Sequence, residues 1–493
     1  MIVNGLWINN EEVNSQNGSQ FERFCPATGE LISKSQLGTA NDVNDAVSAA
    51  KNAFDNSNLW KELPAEEKYK ALSKWADLID LNKEEISQIE SKESGKPIEG
   101  ARGEVEWSIT LLKYATSLVW QLSGDTFNNV GSKKIGYTLR EARGVVAMIT
   151  PWNYPMVTLF QKLPYALAAG CTCVIKPSEL TPSTTYFVAK LAKEAGIPAG
   201  VINVINGTGE IVGSTLTKHP DVDMISFTGS TNVGKIISIN AAETNKHVSL
   251  ELGGKSANIV FDDADFSEAI DGVLLGFTLN QGEECVAASR LIISENIVDK
   301  FVDELAKRAS KLVVDLPLND TTQIGALINA THYQKVLSLI EEGEQEGANL
   351  LLDGRKNIAN HLRNGFFIKP TIFTNVHKDM TIFQEEIFGP VLCVSTFKTY
   401  DEAIELANDT KYGLGNGIWT RDLNKAIHAS KSLRSGTVFV NTYFETLPQL
   451  PFGGYKASGI GRENGLNGLL EFTEIKSVFI NVDSRDFAYP NTI

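Results

Sequence analysis

Four short apolar runs decide the fold of this chain: GVVAMIT (residues 144–150), CTCVIKPS (171–178), GVINVIN (200–206) and VDMISFTG (222–229). The segments between them, among them VTLFQKLPYALAAG (157–170) and STTYFVAKLAKEAG (183–196), repeat apolar residues at three- and four-residue spacing, which predicts one amphipathic helix in each. Strand–helix alternation of this kind predicts an α/β fold with a parallel sheet and right-handed crossovers. Ligands collect at the carboxyl ends of such strands, so functional residues are expected directly after the apolar runs.

A second alternating region extends from about Asn258 to Val440 and predicts a second α/β domain. Its strand candidates are SANIVF, SRLIIS, PVLCVSTF, NGIWT and GTVFVN. Two further stretches, residues 123–142 and the tail segment TEIKSVFINV, are strand-like and separate from either core. Extra strands of this kind commonly pair between subunits, so a homodimer or homotetramer is expected.

Length, charge and cysteine content exclude several classes of protein. A chain of 493 residues is too long for one hydrophobic core, and its net charge of −15 disfavours nucleic-acid binding. The five cysteines are odd in number, and Cys171 and Cys173 have no nearby histidine or second cysteine pair, so neither a disulfide scaffold nor a metal site is expected. Without a signal-peptide pattern or an apolar stretch long enough to span a bilayer, a cytoplasmic location is expected.

Cys285 is the first candidate for chemistry. It lies in NQGEECVAASR among small and polar residues, shortly before an apolar run, where an exposed nucleophile could stand. Its acidic neighbours Glu283 and Glu284 should raise the pKa of the thiol. The residues alone leave a buried core cysteine as the alternative.

Two further candidates follow apolar runs. Glu251, in HVSLELGGKS, stands where a general base could accept a proton, although a solvent-exposed loop carboxylate fits the same pattern. Asn153 lies between Pro151 and Pro155, which stiffen the turn, and its amide N–H could donate to an oxyanion. The alternative for Asn153 is an ordinary turn residue.

A glycine-containing stretch, FTGSTNVGK, follows one strand and opens a helix whose first N–H groups could bind a phosphate. Its glycines, Gly229 and Gly234, do not have the G-x-G-x-x-G spacing of dinucleotide sites. After the run CTCVI, Lys176 and Glu179 offer a cation and a carboxylate, and a carboxylate can accept hydrogen bonds from ribose hydroxyls.

Taken together, seven stretches resemble the aldehyde dehydrogenase superfamily, in the same order and over essentially the whole chain. They are ITPWNYP, IKPSE, FTGSTNVG, LELGGKS, GEECVAASR, EEIFGPV and PFGGYKASGIGREN. The resemblance implies an aldehyde dehydrogenase-like fold with a Rossmann-type cofactor domain, an α/β catalytic domain and a small strand-rich oligomerisation segment. The boundaries expected are 1–122 and 143–252 for the cofactor-binding domain, 253–454 for the catalytic domain, and 123–142 and 455–493 for the oligomerisation and C-terminal segments.

The same resemblance implies an oxidation of aldehydes to carboxylic acids. Cys285 would attack the carbonyl, and Asn153 with the Cys285 backbone N–H would form the oxyanion hole of the thiohemiacetal. Glu251 would activate the water that hydrolyses the thioester, and its presence separates this chain from branches that transfer the acyl group to coenzyme A. Lys162 and Glu463 match positions that resemble a proton relay in the betaine-aldehyde branch.

NAD is the cofactor that the resemblance implies. Glu386 would hold the ribose on the nicotinamide side, and Phe388 would pack near the ring. Glu179 favours NAD because a carboxylate beside the ribose 2′-hydroxyl would repel a 2′-phosphate, with NADP as the alternative. The residues that match cofactor contacts are Thr150, Trp152, Lys176, Glu179, Gly229, Ser230, Leu252, Glu386 and Phe388.

Two carboxylates favour a cationic aldehyde as substrate. Glu106 resembles the acidic position on the tunnel-lining helix of aminoaldehyde dehydrogenases, and Glu284 directly precedes the nucleophile. Gln161 argues against a full aromatic box, because many relatives have a Trp there. The aromatic candidates are Tyr154, Tyr443 and Phe452.

Other functions stay open on the sequence. Within the family, a broad-specificity aliphatic or aromatic aldehyde dehydrogenase is the alternative to a betaine-aldehyde or aminoaldehyde enzyme. Outside it, the alternatives are a cysteine hydrolase, for which no histidine stands in a recognisable Cys–His motif, and a catalytically silent binding protein on the same fold.

Overall fold

The structure is a computed structural model that describes residues 1–56 and 58–484 of the chain. The first twelve strands along the described chain are β1 (Ile2–Asn4), β2 (Leu6–Ile8), β3 (Glu11–Val13), β4 (Gln20–Phe24), β5 (Leu31–Gln36), β6 (Thr126–Phe127), β7 (Lys134–Ala142), β8 (Val145–Ile149), β9 (Thr172–Lys176), β10 (Ile202–Val204), β11 (Met224–Thr228) and β12 (His247–Glu251). The later strands are β13 (Ala257–Val260), β14 (Arg290–Ser294), β15 (Asn349–Leu352), β16 (Thr371–Thr374), β17 (Val391–Phe397), β18 (Gly415–Trp419), β19 (Thr437–Val440), β20 (Gly459–Ile460) and β21 (Thr473–Asn481).

The α-helices alternate with these strands over most of the chain. They are α1 (Ala40–Asp55), α2 (Ala65–Leu81), α3 (Lys83–Ser94), α4 (Ile98–Ser117), α5 (Pro155–Phe160), α6 (Leu163–Ala169), α7 (Ser183–Ala195), α8 (Ser214–Lys218), α9 (Thr231–Ala242), α10 (Phe266–Thr278), α11 (Val298–Ala309), α12 (Ala330–Gln345), α13 (Thr381–Gln384), α14 (Tyr400–Asn408), α15 (Leu423–Ser432) and α16 (Gly465–Glu471).

The four apolar runs form the centre of an eight-stranded sheet with the order β20-β12-β11-β8-β9-β10-β2-β3. The five strands from β12 to β10 in this order are parallel to one another, whereas β20 and β2 pair antiparallel at the two sides. Every residue of β8 and of β9 is buried, as expected for parallel strands covered on both faces. Their carboxyl ends therefore open at one edge, where Thr150 and Glu251 stand.

The second alternating region forms a seven-stranded sheet with the order β15-β16-β17-β14-β13-β18-β19. Its strands are parallel except for β15, which pairs antiparallel with β16. All five predicted strands of this region are present, with bounds that differ from the predicted runs by one residue or so at each end. Leu291 and Ile293 of β14 belong to a core that α10 and α11 cover on one face.

Two smaller sheets of three strands have the orders β1-β5-β4 and β21-β7-β6. In the second of them, β21 and β7 pair antiparallel over nine residues, from Thr473↔Ala142 to Asn481↔Lys134. This sheet brings together the two strand-like stretches that the sequence set apart. The predicted C-terminal segment 455–493 contributes to two sheets, because β20 joins the eight-stranded sheet and β21 the three-stranded one. Residues 485–493 lie outside the described residues.

The helix predicted over VTLFQKLPYALAAG is two helices in the structure, α5 and α6, separated at Gln161 and Lys162. Pro164 explains the break, since proline lacks the N–H that would bond to the preceding turn and its ring clashes there. The break points Lys162 inward, where its side chain is fully buried. Across residues 1–56 and 58–484, no helix has the length and apolarity needed to cross a membrane.

Candidate active site

A cavity of about 1340 Å³ is bounded by loops from both large sheets. From the eight-stranded sheet come the turn after β8, with Asn153, and the end of β12, with Glu251. From the second half of the chain come the loop before β14, with Cys285, and the loops that carry Glu386 and Phe452. The residues that followed apolar runs in the sequence are therefore gathered around one space.

Cys285 faces this cavity and is half-buried, whereas the other four cysteines are buried. Burial raises the pKa of its thiol well above the usual value, and the carboxylates of Glu284, Glu386 and Glu251 raise it further. The thiol donates a hydrogen bond to Oε1 of Glu284 at 3.4 Å. Gly254 lies so close to the Cys285 carbonyl that a Cβ atom there would collide with it, which fixes the loop after β12 against the nucleophile candidate.

Glu251 ends β12, and neither of its buried carboxylate oxygens has a hydrogen-bond partner among the described residues. Burial raises its pKa well above the usual value, and the nearby carboxylate of Glu463 raises it further. Gly453 gives the carboxylate room, since a Cβ there would stand 2.8 Å from Oε1. A buried, unpaired carboxyl group with a raised pKa is suited to exchange a proton with water.

Lys162 and Glu463 form a buried ion pair behind Glu251, and Lys162 also donates to Oγ1 of Thr228 at 2.6 Å. Neither of the two lines the cavity itself. Burial raises the pKa of Glu463, and the ammonium of Lys162 partly offsets this. The pair therefore acts on the cavity through Glu251, whose pKa is raised by Glu463 and lowered by Lys162.

Asn153 lines the cavity in the turn after β8. One of its amide N–H groups donates to the carbonyl of Glu283 at 2.9 Å, which leaves the second N–H of the amide for a ligand. Asn280 holds the same turn, because its amide donates to the Asn153 carbonyl at 3.1 Å. Asn280 and Gln281 adopt left-handed backbone angles, with φ of 50° and 47°, so the loop before Cys285 is a tight one.

Six of the nine predicted cofactor residues line the cavity: Trp152, Gly229, Ser230, Leu252, Glu386 and Phe388. The other three lie at the neighbouring strand ends. The N–H of Thr150 donates to the carbonyl of Lys176 at 3.1 Å, and Nζ of Lys176 stands 3.3 Å from the Glu179 carboxylate.

This part of the cavity, together with the neighbouring strand ends, fits a dinucleotide. The 12-residue helix α9 begins beside it, capped by Ser230, and offers unpaired backbone N–H groups to a phosphate. Glu386 accepts a hydrogen bond from the N–H of Gly254 at 2.9 Å, and burial raises its pKa to about 6. Phe388 has φ of 63°, a strained angle for an aromatic residue, so its position is imposed by the surrounding structure.

The substrate predictions have mixed outcomes. Tyr154, Glu284 and Phe452 line the cavity. The Tyr443 prediction is wrong, because this side chain is buried behind the wall, where its hydroxyl donates to the Val286 carbonyl at 2.7 Å. Its neighbour Phe444 lines the cavity instead.

The Glu106 prediction is also wrong. Its side chain is 67% exposed and stands 4.0 Å from Lys83, and it is absent from the cavity wall. The cavity face of α4 carries Glu99, Gly103 and Trp107, which recur every four residues. Helix rotation alone does not separate Glu106 from this face, since it lies seven residues from Glu99. Its side chain is directed towards Lys83 and solvent instead.

His332 and Lys335 line the cavity from the first turns of α12 and were not predicted. The His332 ring lies 5.4 Å from Trp152 and bonds to the Phe388 carbonyl at 2.7 Å. Burial lowers its pKa to about 4, so the imidazole is neutral. Only the HYQK spacing at the start of α12 could have indicated this pair, and that signal is weak.

The geometry agrees with comparisons to known proteins. The sequence pattern of the aldehyde dehydrogenase family matches residues 13–478. This chain belongs to the aldehyde dehydrogenase family.

Among its relatives, aldehyde dehydrogenase, cytosolic 1, of Rattus norvegicus is 43% identical over 98% of this chain and 95% of its own length. An NAD-dependent aldehyde dehydrogenase from Sinorhizobium meliloti has a similar structure, with a TM-score of 0.97, 41% identity, and 99% and 96% of the two chains covered. A betaine aldehyde dehydrogenase from Staphylococcus aureus, in complex with NAD+, also has a TM-score of 0.97, with 37% identity and 99% of each chain covered.

These comparisons confirm the predicted family, the α/β fold and the assignment to an enzyme class. The alternative of a catalytically silent protein is set aside by the family match and by relatives and structural neighbours that are aldehyde dehydrogenases. The cysteine hydrolase alternative is wrong at the level of the family.

Proposed function

We propose that this aldehyde dehydrogenase oxidises a small cationic aldehyde, of the betaine-aldehyde or aminoaldehyde class, to its carboxylic acid with NAD. The observation that carries the proposal is the charge of the cavity wall. Seven acidic side chains line it, against two lysines. Glu99, Asp271 and Glu445 are exposed and Glu104 is paired with Lys96, which leaves Glu251, Glu284 and Glu386 in the partly closed space and Lys335 as the second lysine. In a space partly closed to water, such an excess attracts a cation more strongly than it would at an open surface.

The reacting groups follow from the arrangement around Cys285. We infer that its thiolate attacks the aldehyde carbon, while the free N–H of the Asn153 amide and the Cys285 backbone N–H donate to the developing oxyanion. Each such donor is worth about 3–4 kcal/mol of the barrier. NAD, when bound, supplies the acceptor for the hydride that leaves the thiohemiacetal. Glu251 then takes a proton from the water that attacks the thioester, and Lys162 with Glu463 sets the pKa of Glu251.

The cofactor would be held along the carboxyl ends of β8, β9 and β11. The N-terminus of α9 with Gly229 and Ser230 suits the diphosphate, and Lys176 with Glu179 suits the adenine-side ribose. We assign Glu386 to the second ribose. Packing against the nicotinamide would come from three cavity-lining side chains, Trp152, Leu252 and Phe388, with Thr150 directly after the end of β8. Glu179 favours NAD over NADP.

A broad-specificity enzyme for aliphatic or aromatic aldehydes is the second candidate. The observation in its favour is the apolar part of the same wall, formed by Trp107, Val157, Leu450, Phe444 and Phe452. Gln161 also lines the cavity and supplies no aromatic face for a quaternary ammonium group. A neutral aldehyde would bind by burial of apolar area alone.

Measurement of NADH formation with a matched panel separates the two candidates. The panel pairs betaine aldehyde and aminoaldehydes with neutral aldehydes of equal length, and Cys285→Ala serves as the blank. The cationic proposal expects kcat/KM to favour the cationic member of each pair. Glu99→Gln, on the cavity face of α4, should lower that preference by roughly two- to fivefold, the size of a partly exposed charge interaction.

Glu106→Gln is the matched control, because it removes the same charge from an exposed position of the same helix that does not line the cavity. The cationic proposal fails if neutral aldehydes are preferred, or if both variants change the preference equally. If Cys285→Ala loses all activity, the proposed role of Cys285 stands, whichever aldehyde of each pair the wild type prefers.

We also propose that the chain is an oligomer and acts in the cytoplasm. The sheet β21-β7-β6 exposes apolar side chains, among them Ile135, Leu139, Ile475 and Phe479. An exposed apolar sheet of this kind fits an interface with a second subunit, in a dimer or tetramer. Five cysteines without a disulfide fit a reducing compartment.

A further inference from the structure

Glu284 makes a contact with the nucleophile candidate that Glu251 does not make. The thiol of Cys285 donates to Oε1 of Glu284 at 3.4 Å, and the same oxygen lies 3.4 Å from the backbone N of Val286. The side chain of Glu284 is half-buried and opens into the cavity. It is therefore placed to exchange a proton with the sulfur, whereas the carboxylate of Glu251 has no hydrogen-bond partner among residues 1–56 and 58–484.

Several neighbouring groups favour the ionised form of Glu284, which is the form that accepts a proton. Tyr154 hydrogen-bonds to its carboxylate, and Nζ of Lys96 lies 4.3 Å from the centre of the Tyr154 ring. Both groups favour the ionised carboxylate, as does the thiol contact. Burial acts in the opposite direction and is the largest effect, so the pKa of Glu284 is raised above its usual value. The carboxyl group thus stays ionisable while its proton affinity moves towards that of a thiol.

Simple loss of the thiol proton to solvent is costly at this position. It would leave a thiolate and a carboxylate side by side in a half-buried space, and Glu284 is the strongest of the carboxylates that raise the pKa of Cys285. If the proton moves to Glu284 instead, one negative charge replaces another and the total charge of the pair is unchanged.

We propose that Glu284 is a second catalytic carboxylate, which takes the thiol proton of Cys285 and leaves Glu251 to serve water. In this step the S–H bond breaks, its electron pair stays on sulfur, and the proton forms an O–H bond with Oε1 of Glu284. The resulting thiolate then forms the S–C bond while the carbonyl electron pair moves to oxygen. The inference rests on the proposed role of Cys285 as the nucleophile.

The test is the rate at which iodoacetamide alkylates Cys285 as a function of pH, with no aldehyde and no NAD present. Mass spectrometry assigns the modified cysteine, and the burial of the other four protects them in the folded protein. The wild-type rate should stay nearly constant on the acid side of neutrality, until Glu284 itself becomes protonated. In Glu284→Gln this plateau should be lost, and at mildly acidic pH alkylation should be at least roughly tenfold slower than in the wild type.

Two further variants complete the test. Glu284→Asp retains a carboxylate and should keep a plateau, and Glu295→Gln, which changes the same charge on a surface loop, should match the wild type. Thermal unfolding of each variant shows that the fold is retained. Equal or faster alkylation of Glu284→Gln would overturn the proposal. A carboxylate that acts only by its negative charge disfavours the thiolate, so its removal would speed alkylation of Cys285. Alkylation needs no substrate, so this result is independent of whether cationic aldehydes are oxidised.

Discussion

Two carboxylates of the same cavity, Glu251 and Glu284, differ in their position in the fold and in their hydrogen-bond partners. Glu251 ends a central parallel strand and has no hydrogen-bond partner among the described residues, with the Lys162–Glu463 ion pair behind it. Glu284 lies in a loop and is bonded to a thiol, a tyrosine and a backbone N–H. Hydrogen-bond partners, more than location in the active site, therefore determine which proton each carboxylate can accept.

This contrast divides the proposed reaction into two halves. Formation of the thioester would depend on Glu284, and its hydrolysis would depend on Glu251. The pKa of each carboxyl group is raised chiefly by burial, but the further influences differ. The nearby carboxylate of Glu463 raises the pKa of Glu251 further, whereas hydrogen bonds and the ammonium of Lys96 lower the pKa of Glu284. Variants that change one set of neighbours should therefore leave the other half-reaction unaffected.

The largest expected effect comes from Glu251→Gln. Steady-state turnover should fall roughly 100- to 10,000-fold, the usual contribution of a general base. The first turnover should survive, so rapid mixing with NAD and aldehyde should still show a burst of NADH close to one equivalent per site. Stopped-flow absorbance measures both quantities on the same sample.

The corresponding control is Glu284→Gln, in which the burst itself should slow. If Glu251→Gln instead removed the burst, Glu251 would be required for thiol deprotonation, and the division between the two carboxylates would be lost.

The fold was predictable because the decisive signals are local. Runs such as GVVAMIT and CTCVIKPS are apolar without interruption, which is the pattern of strands buried on both faces, and they became β8 and β9. The break between α5 and α6 was missed, because the run was predicted as one helix although Pro164 lies inside it. What the sequence could not supply is the pairing of β20 with β12, a two-residue strand far along the chain.

The site was predictable only where backbone position decides the outcome. Cys285, Glu251 and Asn153 follow strands or precede them, so the sheet edge gathers them whatever their side-chain rotamers. Tyr443 and Phe444 show the limit, because two adjacent aromatic residues point to opposite sides of one wall and only packing selects which faces the cavity. Glu106 failed for a similar reason, since the direction of its side chain, towards Lys83 and away from the cavity, is set by its surroundings.

An intermediate effect is expected from Glu463→Gln, which changes only the surroundings of Glu251. Removal of the like charge lowers the pKa of Glu251, while Lys162 keeps a positive charge nearby. A base must be ionised to act, so the acid limb of the kcat–pH profile should move to lower pH. Glu463→Asp, which keeps the charge, should leave the limb near its wild-type position. A limb that moves to higher pH would show that the ion pair does not act through Glu251.

The smallest effect is expected from Tyr154→Phe, which changes only the surroundings of Glu284. Loss of the hydroxyl removes a hydrogen bond that stabilises the ionised carboxylate, so the pKa of Glu284 should rise. The carboxylate must be ionised to accept the thiol proton, and the pH below which Cys285 alkylation declines should therefore move upward. Near that pH the rate should fall roughly fivefold, the equivalent of one hydrogen bond of about 1 kcal/mol. Hydrolysis by Glu251 should be unchanged in single-turnover measurements, and a slower hydrolysis in Tyr154→Phe would mean that the two carboxylates are coupled rather than separate.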